Sequence, residues 1–207
     1  MSVTTLLVDV GGVLLSENPL FWELLRRDFH APVDVEGLFY GPDSPWPACR
    51  TGALDYREYT RRVADELGMS PTVLVELRER HEWVLNQRMA TWVRRAHQRG
   101  AKVILVSNAD LTLEDRIRAF GLDDVMDAVV NSARVGSAKP DPEIYRRALE
   151  LAESPPNECL FVDDREKNCA VAAELGLQTL LYCDSDQFFR ELQQRYTGEA
   201  WLVPEDI

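Results

Sequence analysis

The chain has 207 residues, of which 45% are hydrophobic and 28% are charged, and its net charge is −12. This composition is ordinary for a globular protein with one buried core, or with one core and a smaller insertion. The excess of acidic residues argues against nucleic acids and anionic membrane surfaces as partners, because both are bound through basic patches. The sequence has no signal-peptide pattern and no apolar run near about 20 residues, so we expect a cytoplasmic protein that does not bind membranes.

The first predicted element is a buried strand near the start of the chain. Residues 6–8 form an apolar run that leads into Asp9 and, after one valine, into Gly11 and Gly12. Such a run is typical of a strand covered on both faces in a parallel sheet. The glycines end the strand and allow the backbone to approach a ligand closely. Asp9 is therefore expected at the carboxyl end of a central strand, where open α/β sheets bind ligands.

Residues 18–90 predict a helical insertion rather than a second buried strand. Apolar residues recur at helical spacing over residues 20–29, and again over residues 55–67, where Asp55 is a suitable helix cap. A further helix is predicted from Ser70 towards Leu85.

Two other parts of this insertion have a simple interpretation. Residues 32–51 are rich in proline and glycine and are predicted to form a loop, from which Arg50 is a candidate for substrate contact. The arginine and glutamate residues at 76–82 are predicted to form a solvent-exposed helix face.

From residue 91 onward, predicted strands and helices alternate. Further strands are predicted at residues 102–106, 127–130, 159–162 and 178–182. Helices are predicted at residues 92–99, 112–120, 142–151, 168–175 and 186–196. This alternation predicts a parallel sheet with helices on both faces. Residues 199–207 fit either an edge strand or an unpaired tail.

Polar residues follow three of the predicted strands. They are Asp9, Ser107, Asn108, Asp163 and Asp164. Because the carboxyl ends of parallel strands lie on one edge of a sheet, these side chains are expected to converge. Clustered carboxylates repel one another unless a cation neutralises them, and Mg²⁺ prefers carboxylates, carbonyls and water. A magnesium site is therefore predicted at this edge.

A lysine is expected beside the acidic cluster. Lys139 lies in the segment SAKPDP, whose prolines stiffen the turn and place the lysine next to a helix start. A cation at this place would hold an anionic group of a substrate against the negative charge of the acids. The sequence thus indicates a site for a small anionic molecule.

Four segments in order carry a family resemblance: LLVDVGGVL, ILVSN, AKPDPEIY and LFVDDREKN. With them the chain resembles the haloacid dehalogenase-like (HAD) hydrolases, most closely the members of subfamily I, which have a helical cap after the first strand. The resemblance implies an α/β fold, with a Rossmann-like parallel-sheet core formed by residues 1–17 and 91–207. The helical cap would be residues 18–90.

The resemblance also implies roles for individual residues. Asp9 would be the nucleophile and would form an aspartyl-phosphate intermediate. Mg²⁺ would bind Asp9, the backbone carbonyl of Gly11 and the Asp163-Asp164 pair, with Asp164 as the direct ligand and Asp163 orienting water or Lys139.

Phosphoryl oxygens would be held by Ser107, by the amide of Asn108 and by Lys139, which would also neutralise the developing charge. Asn168 would tie together the loop that carries Asp164.

One residue departs from the family pattern. Phosphatases of this family usually have a second aspartate two residues after the nucleophile, and this chain has Gly11 there. The general acid–base help of that group, typically about 10²–10⁴-fold, would be missing or would come from elsewhere. The glycine favours leaving groups that depart readily, such as those of sugar-1-phosphates, acyl phosphates or aryl phosphates. Glu17, Asp110 or a cap residue could replace the acid.

The sequence therefore predicts a Mg²⁺-dependent phosphatase, monomeric or homodimeric, that acts on a small phosphorylated metabolite such as a sugar phosphate. One alternative is a catalytically impaired protein that binds phosphoryl groups for regulation, which the glycine at position 11 motivates. Another is a metal-independent haloacid dehalogenase, although the Asp163-Asp164 pair would be unfavourable near an anionic haloacid.

Overall fold

A parallel five-stranded sheet forms the centre of the computed structural model, which describes residues 3–197 and Leu202. In chain order the strands are β1 (Thr5–Val8), β2 (Leu15–Glu17), β3 (Trp83–Leu85), β4 (Lys102–Ser107), β5 (Ala128–Asn131), β6 (Cys159–Asp163) and β7 (Gln178–Leu181). The sheet has the order β5-β4-β1-β6-β7, and every neighbouring pair in it is parallel. The five predicted strands and the α/β fold are confirmed.

Helices cover both faces of this sheet. In chain order the helices are α1 (Pro19–Asp28), α2 (Val35–Tyr40), α3 (Trp46–Cys49), α4 (Tyr56–Glu66), α5 (Pro71–His81), α6 (Gln87–Gln98), α7 (Leu113–Ala119), α8 (Ser132–Val135), α9 (Pro142–Ala152), α10 (Glu166–Glu174) and α11 (Ser185–Arg195). Side chains alternate across β1, so Leu6 and Val8 pack into one apolar cluster with Trp92 and Phe188. Leu7 packs into the opposite cluster with Tyr145.

Helices α1–α5 bury an apolar cluster of their own. Phe21 and Phe39 lie at its centre, fully buried and edge to face with ring centroids 5.9 Å apart. Helix α4 begins after Asp55, whose side chain accepts a hydrogen bond of 2.8 Å from the Glu58 amide, as a capping aspartate should. This part of the chain therefore has a core separate from the two clusters of the sheet.

The insertion differs from its prediction in two places. The helix expected to run towards Leu85 ends at His81, and the Trp-Val-Leu run that follows forms β3. Strand β3 pairs antiparallel with β2, so that Trp83 lies opposite Glu17. An aromatic and β-branched run of this kind suits a strand, and its partner is distant in sequence. The predicted loop at residues 32–51 contains the short helices α2 and α3.

The prediction that residues 76–82 form a solvent-exposed face is wrong for two of its members. Arg78 is 3% exposed and Glu82 is 2% exposed. The Arg78 guanidinium donates to both carboxylate oxygens of Glu82, at 2.9 and 3.0 Å. Tyr40 also donates its hydroxyl hydrogen to Glu82. Buried charges are tolerated when they are paired and hydrogen-bonded, and periodicity alone does not reveal such pairing.

The predicted tail at residues 199–207 lies outside the described residues except for Leu202, whose carbonyl accepts a hydrogen bond of 2.9 Å from the Trp92 indole. Among the helices of the described residues, none is long and apolar enough to cross a bilayer.

Candidate active site

The acidic residues predicted to converge do meet at the carboxyl edge of the sheet. Asp9 follows β1, Asp163 is the last residue of β6, and Asp164 comes next. Each of the three offers a carboxylate oxygen, and these oxygens lie within 4.8 Å of one another. Beside them is a cavity of about 410 Å³, whose lining includes Asp9, Ser107, Asn108, Lys139 and Asp164. The site lies where an open α/β sheet binds its ligand.

Lys139 connects the acids at the base of this cavity. Its side chain is 1% exposed, and its Nζ lies 2.8 Å from Asp9 Oδ2 and 2.7 Å from Asp163 Oδ2. The third donor position is used by the carbonyl of Val106, at 2.7 Å. Burial by itself would lower the pKa of Lys139, but the two carboxylates outweigh it and leave the pKa above its usual value. The lysine is therefore a fixed positive charge next to Asp9.

The loop that carries Lys139 is held by the end of strand β4. The Asn108 side chain accepts a hydrogen bond of 2.7 Å from the Lys139 amide and donates one of 2.9 Å to the Lys139 carbonyl. Ser107, the last residue of β4, is 3% exposed and faces the same cavity. Ser107 and Asn108 thus line the same cavity as Asp9 and Lys139.

Asp163 and Asp164 have different surroundings. Asp163 is fully buried, and its Oδ1 accepts hydrogen bonds from the Asn168 side chain at 2.8 Å and from the Arg165 amide at 2.9 Å. Its Oδ2 is taken by Lys139. Asp164 is exposed and lines the cavity. Of this pair, Asp164 has the carboxylate that is accessible to a ligand.

The acids are crowded enough to disfavour their own ionisation. Burial raises the pKa of Asp9 to about 8, with Lys139 opposing this effect and Asp163 and Asp164 adding to it. Burial also raises the pKa of Asp164, and the charge of Asp163 adds to this. Carboxylate oxygens this close together suit a hard divalent cation, which would relieve the repulsion. The residues present therefore fit Mg²⁺.

The two glycines after β1 have different steric surroundings. Gly12 has a φ of +86°, and a Cβ there would lie 2.5 Å from Asp164 Oδ2. A Cβ on Gly11 would meet nothing closer than the Trp83 ring, at 3.7 Å. Position 12 must be glycine so that the Asp164 carboxylate can lie against the backbone there, whereas position 11 has room for a side chain.

Replacing Gly12 with alanine is expected to lower the free energy of unfolding by about 1–3 kcal/mol, because alanine is strained at a positive φ. The new Cβ also forces the Asp164 carboxylate away from its place. Urea denaturation of the variant measures the first effect. Gly11→Ala is the matched control, and equal stability of the two variants would contradict this account of the turn.

Asp110 and Glu17, the two named residues that could replace the missing acid, have pKa values shifted in opposite directions. Burial acts to raise the pKa of Asp110, but Arg116, Arg78 and hydrogen bonds from Thr112 outweigh it and leave the pKa below its usual value. Asp110 is therefore ionised at neutral pH and has no proton to give. Burial raises the pKa of Glu17, which also lines the cavity. Glu17 is the better placed of the two to hold a proton.

Several cavity residues were not expected from the sequence. They come from the insertion, from helix α7 and from the turn before helix α10, and include Tyr40, Trp46, Arg78, Trp83, Arg116 and Arg165. Arg50, which the sequence singled out, also lines the cavity. No local sequence pattern marks the remaining lining residues, because the cavity forms only where helices α1–α5 lie over the sheet edge.

Comparison with known proteins agrees with this arrangement. The sequence profile of the haloacid dehalogenase-like hydrolases matches residues 3–176. The chain belongs to this hydrolase family. Pyrophosphatase PpaX of Bacillus cereus (strain B4264) is 33% identical to this HAD-like hydrolase over 186 residues, which are 86% of this chain and 82% of the relative.

Two further similarities concern a part of a larger protein and a solved structure. Bifunctional epoxide hydrolase 2 of Sus scrofa is 41% identical over 76 residues, which cover 37% of this HAD-like hydrolase and only 14% of the pig protein. A HAD-family enzyme of Bacteroides thetaiotaomicron, solved with magnesium and inorganic phosphate, superimposes with a TM-score of 0.74 at 24% identity. That match covers 91% of this chain and all of the bacterial one, and it shows a shared fold.

Proposed function

We propose that this HAD-like hydrolase removes the phosphoryl group from a small phosphorylated metabolite, with Asp9 as nucleophile and Mg²⁺ as cofactor. One observation carries the proposal. A buried lysine joins Asp9 to Asp163, and the accessible Asp164 carboxylate lies beside them at the base of a cavity. Two relatives support it, since PpaX is named a pyrophosphatase and the Bacteroides enzyme was solved with magnesium and inorganic phosphate.

The proposed metal ligands are Asp9, Asp164 and the backbone carbonyl of Gly11. Asp163 is the remaining acid of the predicted metal set, and its hydrogen bonds to Lys139, Asn168 and Arg165 suit it to positioning the lysine. When bound, Mg²⁺ supplies positive charge that stabilises the transferring phosphoryl group. Lys139, whose Nζ lies 2.8 Å from Asp9 Oδ2, supplies a second positive charge beside the nucleophile.

In the proposed reaction, an Asp9 carboxylate oxygen attacks phosphorus and the bond from phosphorus to the leaving oxygen breaks. During this transfer the Ser107 hydroxyl and the Asn108 amide hold the phosphoryl oxygens, and the positive charge of Lys139 beside Asp9 attracts them. Water then attacks phosphorus, which frees Asp9 and releases inorganic phosphate. Because position 11 carries no acid, the leaving oxygen departs as an anion or takes a proton from Glu17. The predicted preference for readily departing groups follows.

We also propose that residues 1–17 and 91–207 form the hydrolase core and that residues 18–90 form the cap. The separate apolar cluster of helices α1–α5 supports this division. Helix α6 begins at Gln87 and packs with the sheet, which supports a cap boundary close to position 90. The monomeric or homodimeric state and the cytoplasmic location stay predictions.

The test is phosphate release from p-nitrophenyl phosphate and from a panel of sugar phosphates, with Mg²⁺ and with a chelator. We expect release that stops when the metal is chelated and returns when Mg²⁺ is added back. Binding of phosphate and Mg²⁺ without any release would favour the regulatory protein that Gly11 motivates. Halide release from a 2-haloacid in the presence of chelator would favour the dehalogenase.

A further inference from the structure

The cavity above Asp9 has a wall of arginines. Four arginines line it, namely Arg50, Arg78, Arg116 and Arg165. The chain as a whole has 23 basic and 35 acidic residues, so such a group is not explained by composition. Each arginine lies outside the set of residues to which the proposed transfer of phosphate is assigned.

Two of these arginines are neutralised by acids and two are not. Arg78 is paired with Glu82, and Arg116 is paired with Asp110 at 3.3 Å. Among the described residues, Arg50 and Arg165 have no ion pair. Glu17 is the one cavity-lining acid in the described part of the chain that belongs neither to the metal cluster nor to these pairs. The wall therefore has an excess of positive charge in a strongly acidic protein.

The same wall has hydrogen-bond donors without acceptors. Within the described residues, Arg50 Nε, Arg78 Nη1 and Trp83 Nε1 are buried and have no hydrogen-bond partner. All three residues line the cavity. Buried N–H groups are almost always paired, and guanidinium and indole nitrogens can only donate. Three residues of one cavity lining thus have donors that the protein itself does not satisfy, and this favours a ligand that accepts hydrogen bonds.

Neighbouring side chains fix the position of the Arg78 guanidinium. The Arg78 guanidinium lies over the rings of Phe39, Tyr56 and Tyr59, with its Cζ 5.3–5.6 Å from their centroids. Its bonds to Glu82 fix the plane of the fork, which leaves Nη1 as the donor to spare. Burial and the charge of Arg165 lower the pKa of Arg50, as expected for a cation that lacks a counter-charge.

We infer that Arg50, Arg78 and Trp83 form a subsite for a second anionic group, so that the leaving group of the substrate itself carries a carboxylate or a phosphate. This inference rests on the proposed phosphatase function. The phosphoryl group to be removed lies at Asp9, and the second anion lies at the arginine wall of the same cavity. A cavity of about 410 Å³ suits a substrate of this kind, such as a phosphorylated hydroxy acid or a small bisphosphate.

Binding of three phosphonates, which are not hydrolysed, tests the subsite independently of turnover. Propylphosphonate has one anionic group, 3-phosphonopropionate adds a carboxylate, and propane-1,3-diphosphonate adds a second phosphonate. In calorimetric titrations with Mg²⁺, we expect at least one of the two doubly anionic compounds to bind the wild-type protein at least about tenfold more tightly than propylphosphonate. Whichever of them binds better identifies the second anion as a carboxylate or a phosphate.

Variants of Arg50 and Trp83 then test whether these residues cause the preference for doubly anionic phosphonates. Arg50→Gln is expected to reduce it to about twofold or less, whereas Arg50→Lys retains part of it. Trp83→Phe keeps an aromatic side chain and removes the indole N–H, so it should reduce the preference by a smaller factor. The matched control is Arg57→Gln, because Arg57 is exposed on α4 and does not line the cavity.

Three results would overturn the inference. They are equal binding of the three phosphonates by the wild-type protein, no binding of any of them, and a preference that survives both Arg50→Gln and Trp83→Phe. Loss of the phosphatase function would be visible separately, as an absence of phosphate release from p-nitrophenyl phosphate. The two proposals can therefore fail independently.

Discussion

Replacing Asp9 with asparagine is expected to reduce kcat for phosphate release by about 10⁴–10⁶-fold, the range seen when an enzyme loses its nucleophile. An amide nitrogen and an amide oxygen replace the carboxylate, and neither attacks phosphorus at a useful rate. The substitution should leave the fold intact. Asparagine Oδ1 can still accept the hydrogen bond of 2.7 Å from the Val10 amide, and Lys139 keeps Asp163 and the Val106 carbonyl.

The stability of this variant separates a chemical role from a structural one. Burial raises the pKa of Asp9 to about 8, so above the usual pKa the unfolded chain ionises this group while the folded protein keeps it protonated up to about pH 8, and this difference costs stability as the pH rises. Asparagine removes that cost, and the free energy of unfolding at pH 7 should be unchanged or higher. Asp123→Asn, at an exposed surface position, is the control for both measurements. A variant at position 9 that keeps most of its activity would contradict the proposed mechanism.

Replacing Gly11 with aspartate is expected to raise kcat/KM for alkyl phosphates by about 10²-fold or more, which is the usual contribution of a general acid. Aryl phosphates should gain little, because their leaving groups depart without a proton. The structure has space for this change, since a Cβ on Gly11 would lie 3.7 Å from the Trp83 ring, an ordinary contact distance. Comparing the two substrate classes measures the effect.

The matched control for this gain is Gly11→Asn, which has the same shape as the aspartate variant and cannot act as an acid. It should leave the ratio of alkyl to aryl rates unchanged. An equal rise for both substrate classes, or a rise with asparagine as well, would show that position 11 affects binding or loop geometry rather than proton transfer. Glu17→Gln provides the complementary measurement, and a selective loss for alkyl phosphates would place the proton there.

The strands of the core were predictable because each one contains a short apolar run, and three of them lead directly into polar residues. Strand β6 shows this well, since all five residues of Cys159–Asp163 are buried and the polar end is an acid of the site. Strand β3 was not predictable in the same way. Its three residues suit a strand by type, but a run this short can also continue the preceding helix, and its pairing with Leu15 and Glu17 depends on residues about 70 positions earlier in the chain.

The site was predictable to the extent that it follows strand ends. Asp9, Asp163 and Asp164 could be placed at one edge from the sheet topology alone, and the structure brings them within 4.8 Å. Arg78 could not be placed, because Glu76, Glu79 and Arg80 around it are exposed while its own charge is satisfied by Glu82, one helical turn away. Burial of a charged pair depends on what covers it, and that information is not local.

The pairing of β2 with β3 has a consequence for how the family can diversify. The chain leaves the sheet through Leu15–Glu17 and returns through Trp83–Leu85, and these two segments are hydrogen-bonded neighbours. Residues 18–82 are thus joined to the rest of the chain through this one pair of strands. A segment of different length or shape could be joined at the same two points without altering the register of the five parallel strands. The insertion that lies over the cavity can therefore be exchanged, in evolution or by engineering, while the acidic residues and Lys139 at the sheet edge are kept.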